Sequence, residues 1–123
     1  MEDLIERVFA LAPDIRYVAV YRDGRLRSSQ RPGVAEASAS ESDKYEELIV
    51  NPTLLTLTRQ RGEIDCGGLE FVLIRYGNFY ELVLPLPSGH LSVGIESHAN
   101  PLQLIPQLRA AAGLATSGSG ARS

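Results

Sequence analysis

Two histidines, one cysteine and two pairs of adjacent carboxylates are the residues of this chain that could carry chemistry. His90 and His98, with Glu96 nearby, are residue types that bind metals. They bracket a predicted strand about 20 Å long, which places them near its opposite ends. The spacing therefore predicts no metal site. We expect His90 in a turn and His98 in a loop.

The cysteine and the carboxylates give no catalytic pattern either. Cys66 has no histidine near it in sequence to activate it as a nucleophile, so we expect a small, partly buried apolar residue. The pairs Glu2-Asp3 and Glu46-Glu47 lie on predicted helices, where adjacent side chains point about 100° apart. We expect both pairs on solvated helix faces. The sequence accordingly predicts no catalytic residue and no cofactor.

Composition and charge indicate a globular protein. The 123 residues allow one domain, and 44% of them are hydrophobic, which is enough to build a core. A net charge of −3 argues against nucleic acid as a partner. The apolar runs are too short for a membrane span, and no secretory signal is recognisable at the N-terminus. We therefore expect a cytoplasmic protein.

The first half of the chain predicts a helix, a hairpin and a second helix. A short amphipathic helix is expected over Glu2–Leu11. β-Branched and aromatic residues around the turn pair Asp23-Gly24 predict a hairpin of Ile15–Arg22 and Arg25–Gln30. The second of these strands is polar, as is typical of a sheet edge.

The middle of the chain predicts a loop followed by a helix. Residues 31–42 are rich in small and polar residues and predict a loop. Asp43, with Glu46 three residues on, has the pattern of a capping box. The helix is expected from Lys44 to about Gln60, interrupted by Pro52 and ended by Gly62.

The second half predicts a three-stranded meander and a last helix. Leu69–Tyr76 and Phe79–Leu86 flank the turn pair Gly77-Asn78. Around residues 91–95 apolar and polar residues alternate, which predicts a strand with one buried face. A helix follows from Pro101. The fold class is therefore α+β, a five-stranded antiparallel sheet with flanking helices in the order αββαβββα, within one domain of residues 1–115. The Ser-, Gly- and Ala-rich segment 116–123 is expected to be a disordered tail.

The middle helix carries two apolar stripes, although packing on one sheet requires only one. The first stripe comprises Tyr45, Leu48, Ile49 and Leu55. The second comprises Val50, Leu54 and Leu57. Either the second stripe forms a subunit interface, or Pro52 rotates the helix so that both stripes face one core.

Charges also cluster by segment. Arg22, Arg25 and Arg27 lie on the first hairpin, and several acidic residues follow within residues 36–47. The charges can pair weakly across the loop, or the arginines can steer an acidic protein or a phosphate-bearing ligand.

The order of elements resembles the Roadblock/LC7 family and, more broadly, profilin-like folds. The features that carry the resemblance are Arg-Asp-Gly-Arg at 22–25, an apolar second helix and a meander that turns at Gly77-Asn78. The resemblance implies a non-catalytic homodimer or heterodimer that binds or regulates small Ras-like GTPases or motor complexes. In that family the second helices pair across a two-fold axis, and the third strands join the two sheets.

By position, the resemblance implies a pairing helix over Asp43–Gln60 and a joining strand over Leu69–Tyr76. The expected dimer-interface residues are Val50, Leu54, Leu57, Phe71 and Leu73. The arginines Arg22, Arg25 and Arg27 are the expected partner-binding residues.

Two other functions remain open at this point. A profilin-like or PAS-like domain could hold a small molecule between sheet and helix, in a pocket lined by Tyr17, Tyr21, Tyr76 and Tyr80. A small enzyme could use Cys66 or a histidine.

Overall fold

An antiparallel sheet of five strands organises residues 3–114, the part of the chain that the computed structural model describes. The strands are β1 (Ile15–Arg22), β2 (Arg25–Gln30), β3 (Val72–Arg75), β4 (Phe79–Leu86) and β5 (Gly89–Glu96). The helices are α1 (Leu4–Phe9), α2 (Ser40–Tyr45), α3 (Asn51–Asp65) and α4 (Ile105–Ala111). The sheet order is β2-β1-β5-β4-β3, so the predicted α+β fold is confirmed. Glu2 and the expected tail, 116–123, lie outside the described residues.

The hairpin of β1 and β2 has the predicted bounds. Arg22 pairs with Arg25 across a two-residue turn in which Asp23 and Gly24 have φ values of 54° and 77°. Positive φ at both positions is what such a turn requires, and it explains this residue pair. β2 is an edge strand and mostly exposed, as its polar sequence predicts.

Two strands of the meander differ from expectation. β3 covers Val72–Arg75, which is shorter than the predicted Leu69–Tyr76. In β5 the residues between Gly89 and Glu96 are buried on both faces, so the expectation of one buried face is wrong. The reason is that helices cover both faces of the sheet.

One face of the sheet is apolar in its central strands and is covered by α1 and α4. Along β5 this face presents Leu91, Val93 and Ile95, all fully buried. From the helices, Val8 and Leu108 pack against them in the same apolar cluster. Burial of this kind is the main stabilising contribution to a domain of this size.

The opposite face is covered by one continuous helix of residues 40–65, here called the long helix, which consists of α2, a π-helical turn (Glu46–Val50) and α3. In the π turn the N–H of Asn51 donates to the carbonyl of Glu46, five residues back. A proline in an α-helix lacks an N–H and clashes with the carbonyl four residues back, and a widened turn relieves both effects. The long helix therefore continues through Pro52.

Both predicted ends of this helix are wrong. It begins at Ser40 after Ala39, and the Asp43 carboxylate accepts a hydrogen bond from the Ser38 hydroxyl at 2.5 Å instead of capping the helix. It ends at Asp65, beyond Gly62. Gly62 is buried because the returning chain crosses it, and a Cβ there would lie 3.1 Å from the carbonyl carbon of Gly68.

The C-terminal helix is preceded by a 3₁₀ turn, Pro101–Gln103, that Asn100 caps through its side chain. The expected single helix from Pro101 is thus split, and Leu102 projects into solvent, 59% exposed. No helix among the described residues is long and apolar enough to cross a membrane.

Candidate functional site: the two sides of the long helix

The side of the long helix that points away from the sheet exposes several large apolar side chains among polar ones. Tyr45 is 62% exposed and Leu57 60% exposed. The large apolar side chains exposed on this helix are Tyr45, Leu48, Ile49, Leu57 and Ile64. We call this set the outer apolar face. Tyr45, Leu48 and Ile49 lie within one turn of one another, and exposed apolar side chains that cluster in this way mark interaction sites in soluble proteins.

The side that faces the sheet is polar in its first half. Glu47 and Asn51 are fully buried, and Leu55 is the first buried apolar residue along the helix. The prediction that Glu46-Glu47 lies on a solvated face is therefore wrong. The alternative in which Pro52 turns both apolar stripes toward one core is also wrong, because Tyr45, Leu48 and Ile49 remain exposed.

Glu47 and Asn51 belong to a hydrogen-bonded network that we call the buried polar cluster, formed by Tyr17, Glu47, Asn51, Glu81, His90 and Ser92. The Tyr17 hydroxyl donates to Glu47 Oε2 at 3.1 Å, and His90 Nε2 lies 2.8 Å from Glu47 Oε1. Asn51 Nδ2 donates to Glu47 Oε1 at 3.1 Å and to Glu81 Oε2 at 3.2 Å. Ser92 donates its hydroxyl to the same Glu81 oxygen.

Protonation in this cluster follows from burial. Desolvation, and secondly the nearby Glu47, raise the pKa of Glu81 to about 8, so this carboxyl is protonated at neutral pH. Burial followed by the Glu47 charge also raises the pKa of Tyr17. At the rim, burial raises the pKa of Glu46, which accepts a hydrogen bond from the Tyr76 hydroxyl at 2.9 Å.

The structure corrects the expected roles of His90 and Cys66. His90 is a buried strand residue and not a turn residue, with 1% of its surface exposed. Cys66 is exposed and not partly buried. His98 lies near the other end of β5, where its Nε2 is 3.0 Å from Asp14. Within residues 3–114, no three His, Cys, Asp or Glu side chains are grouped so that they could hold a metal ion.

The expected interface residues lie in two environments. Leu57 is exposed, whereas Val50 and Leu54 are half-buried on the long helix. Phe71 and Leu73 are partly buried and pack against the apolar core of their own subunit. Since β3 is the sheet's second edge, it offers unpaired backbone groups in addition to these side chains.

The three arginines of the hairpin differ in the contacts that they make. Arg27 forms an ion pair with Asp3 at 2.7 Å, so Asp3 is not simply a solvated residue as expected. Arg22 and Arg25 remain exposed beside the turn. Arg16, whose role no sequence pattern indicated, is 5% exposed and donates to the carbonyls of Ala35 and Glu36. These bonds hold the loop before the long helix in place.

The four tyrosines proposed to line one ligand pocket do not come together. Tyr17 lines a cavity of about 90 Å³ beside Glu47. Tyr21 lines a different cleft beside His90, Tyr76 bonds Glu46, and Tyr80 packs against the apolar core. That version of the small-molecule hypothesis is wrong.

The fold is similar to that of solved Roadblock/LC7 structures. A Roadblock/LC7 domain from Streptomyces avermitilis superimposes with a TM-score of 0.68 at 15% identity, covering 89% of each chain. MglC from Myxococcus xanthus superimposes with a TM-score of 0.57 at 16% identity, covering 89% of this chain and 91% of that one. The expected Roadblock/LC7 fold is thereby confirmed. No protein-family model matches the chain, and a search of curated proteins finds no match.

Proposed function

We propose that this protein is a non-catalytic regulatory module that acts as a homodimer and binds a protein partner. The observation that carries the proposal is the outer apolar face, which the chain leaves uncovered along a helix whose opposite side is anchored in the sheet. The occupant we propose is a second copy. In a symmetric pair the same apolar residues meet one another, so one stripe serves both subunits.

Energy and geometry support such a pair. Burying the exposed part of a leucine or isoleucine contributes roughly 1 kcal/mol per side chain, and the outer apolar face supplies several. The free edge of β3 lies in the same sheet that the long helix covers. Two such edges can continue one sheet across a dimer, as the Roadblock/LC7 resemblance suggests. Val50, Leu54, Leu57, Phe71 and Leu73 stay predictions as interface residues.

The resemblance also supplies a partner class, a small Ras-like GTPase. Arg22 and Arg25 at the β1–β2 turn are the side chains through which an acidic surface of such a partner could be recognised, because both are exposed at the outer end of the sheet. Arg27 contributes less to this surface, since Asp3 already neutralises it.

Light scattering during size-exclusion chromatography tests the dimer. The wild-type chain should elute with twice the mass of 13.4 kDa. Leu57→Glu should give the monomer with an unchanged circular dichroism spectrum, because it places a charge in the pair's interface. Leu102→Glu is the matched control, since the two leucines are 60% and 59% exposed but lie on opposite sides of the sheet.

A wild-type chain that stays monomeric at millimolar concentration would refute the homodimer, as would equal behaviour of the two variants. The same column tests the partner class with a purified Ras-like GTPase. A complex heavier than the dimer supports that class, and separate elution in both nucleotide states of the GTPase argues against it.

A further inference from the structure

A cleft lies between the long helix and the end of the sheet at which the β4–β5 turn is located. Its volume is about 270 Å³, a little below the range typical of small-molecule sites. The walls are formed by Tyr21, Pro52 and Pro87, and polar side chains of α3 and of the β4–β5 turn line the remainder.

Several of these polar groups have no protein partner. Arg59 forms no ion pair or hydrogen bond with the described residues. The hydroxyls of Thr53 and Thr58 donate hydrogen bonds to helix carbonyls four residues back, each at 2.6 Å. Thr56, which lines the cleft, makes no such bond within the described chain, nor does the hydroxyl of Ser88. These groups are therefore available to a ligand.

His90 connects the cleft to the buried polar cluster. Its Nε2 is held by Glu47 at 2.8 Å, and the ring, with 1% of the residue exposed, also lines the cleft. Its Nδ1 has no hydrogen-bond partner among residues 3–114. An imidazole whose one nitrogen bonds a carboxylate is fixed in orientation, and its second nitrogen is left for another group.

The charge of the cleft is opposite to that of the chain. The chain has a net charge of −3, yet no carboxylate lines the cleft, and Arg59 is its one charged arginine or lysine. Asp23 is not among the lining residues, and its backbone N–H donates to the Ser88 carbonyl at 3.1 Å. Glu63 lines an adjoining cavity, which Arg59 also lines. Glu47 lies behind the His90 ring. A guanidinium with neighbouring hydroxyls is the donor set that phosphate oxygens accept from.

We propose that this cleft binds a small phosphorylated molecule, with the phosphate held by Arg59, Thr56 and Ser88 beside His90. The group attached to the phosphate lies against the Tyr21 ring and the two prolines. The cleft and the outer apolar face share no residue, although Pro52 and Thr56 of the cleft adjoin Leu57 of that face. Because His90 lines the cleft and also contacts Glu47, ligand binding in the cleft would be coupled to the long helix, which carries the outer apolar face.

Titration of the ¹⁵N-labelled full chain with phenyl phosphate tests the site, with inorganic phosphate and benzoate as separate arms. Saturable shifts of the cleft amides and of the His90 ring resonances are expected, strongest with phenyl phosphate. Arg59→Gln should weaken binding on the order of tenfold, the usual loss for a charge-assisted hydrogen bond. Arg61→Gln is the matched control, because Arg61 lies on the same helix and pairs with Asp65 at 2.5 Å.

Three results would overturn the proposal: shifts that do not saturate, equal affinity in Arg59→Gln and Arg61→Gln, or saturable shifts that map away from the cleft. Tighter binding of benzoate than of both phosphates would overturn the assignment to phosphate. Thermal melts of both variants establish that each is folded, and Thr56→Val provides a second, milder variant that should weaken binding if the phosphate contacts the hydroxyl.

Discussion

On one face of the sheet, α1 and α4 pack against apolar side chains of the central strands, whereas on the other face the long helix is held by carboxylates, hydroxyls, an amide and an imidazole. Apolar packing has no preferred direction and tolerates small rotations of a helix. Hydrogen bonds need defined distances and angles. We infer that the packing of α1 and α4 provides most of the free energy of folding, while the buried polar cluster sets the rotation of the long helix about its axis.

Two neighbouring residues of β5 should show the largest difference in unfolding free energy between the two faces. Leu91 and Ser92 are both fully buried but point to opposite faces. Leu91→Ala should lower the free energy of unfolding by about 3 kcal/mol through lost burial and a cavity. Ser92→Ala should cost about 1 kcal/mol, since one hydrogen bond to Glu81 is lost. Chemical denaturation measures both, and equal losses would contradict the division between the faces.

The polar face should also make stability depend on pH. The pKa of Glu81 is about 8 in the folded chain against an ordinary value of 4.5 for glutamate, so folding takes up a proton between these two pH values. Stability should therefore fall as pH rises through this window, by up to about 1.4 kcal/mol per pH unit. Glu81→Gln should flatten the profile, as followed by urea denaturation from pH 5 to 9. An unchanged slope in the variant would show that Glu81 is not the group responsible.

The rim of the polar face should give the smallest effect. Tyr76→Phe removes the hydrogen bond to Glu46 and should cost about 1 kcal/mol. Tyr80→Phe serves as the comparison, because the Tyr80 hydroxyl has no hydrogen-bond partner among the described residues and its removal should change stability by less than about 0.5 kcal/mol. Thermal denaturation at neutral pH distinguishes the two, and indistinguishable melting curves would mean that the Tyr76 bond contributes nothing.

The sequence predicts one face of the sheet well and the other poorly. Asp23-Gly24 and the alternation in β5 are local signals, and they gave the hairpin and the apolar core. The side of the long helix that faces the sheet is determined by the strand residues against which the helix packs. The periodicity of the helix sequence does not identify those strand residues, so Glu47 was expected in solvent.

Signals of the buried polar cluster were nevertheless present. Glu81 interrupts an apolar strand, and Glu47 and Asn51 are spaced to share a helix face with Leu55. The π turn has no comparable signature beyond Pro52. The contacts of Arg16 could not be predicted either, because its partners are backbone carbonyls of a distant loop. Every residue type has a backbone carbonyl, so the sequence does not mark which ones are used.

The widened turn at Glu46–Val50 has a consequence for how the chain can vary in length. A π turn accommodates one residue more than the α-helical turn it replaces. A homologue that is shortened by one residue here and lacks Pro52 could form an unbroken α-helix in which both flanks keep their orientation, because four α-helical residues turn through about the same total angle as the five residues of the π turn. The same deletion elsewhere between Glu47 and Ile64 would rotate one flank by about 100° relative to the other. Glu47 and His90 would then separate, or part of the outer apolar face would turn away, so the π turn is the position where the long helix tolerates a change of length.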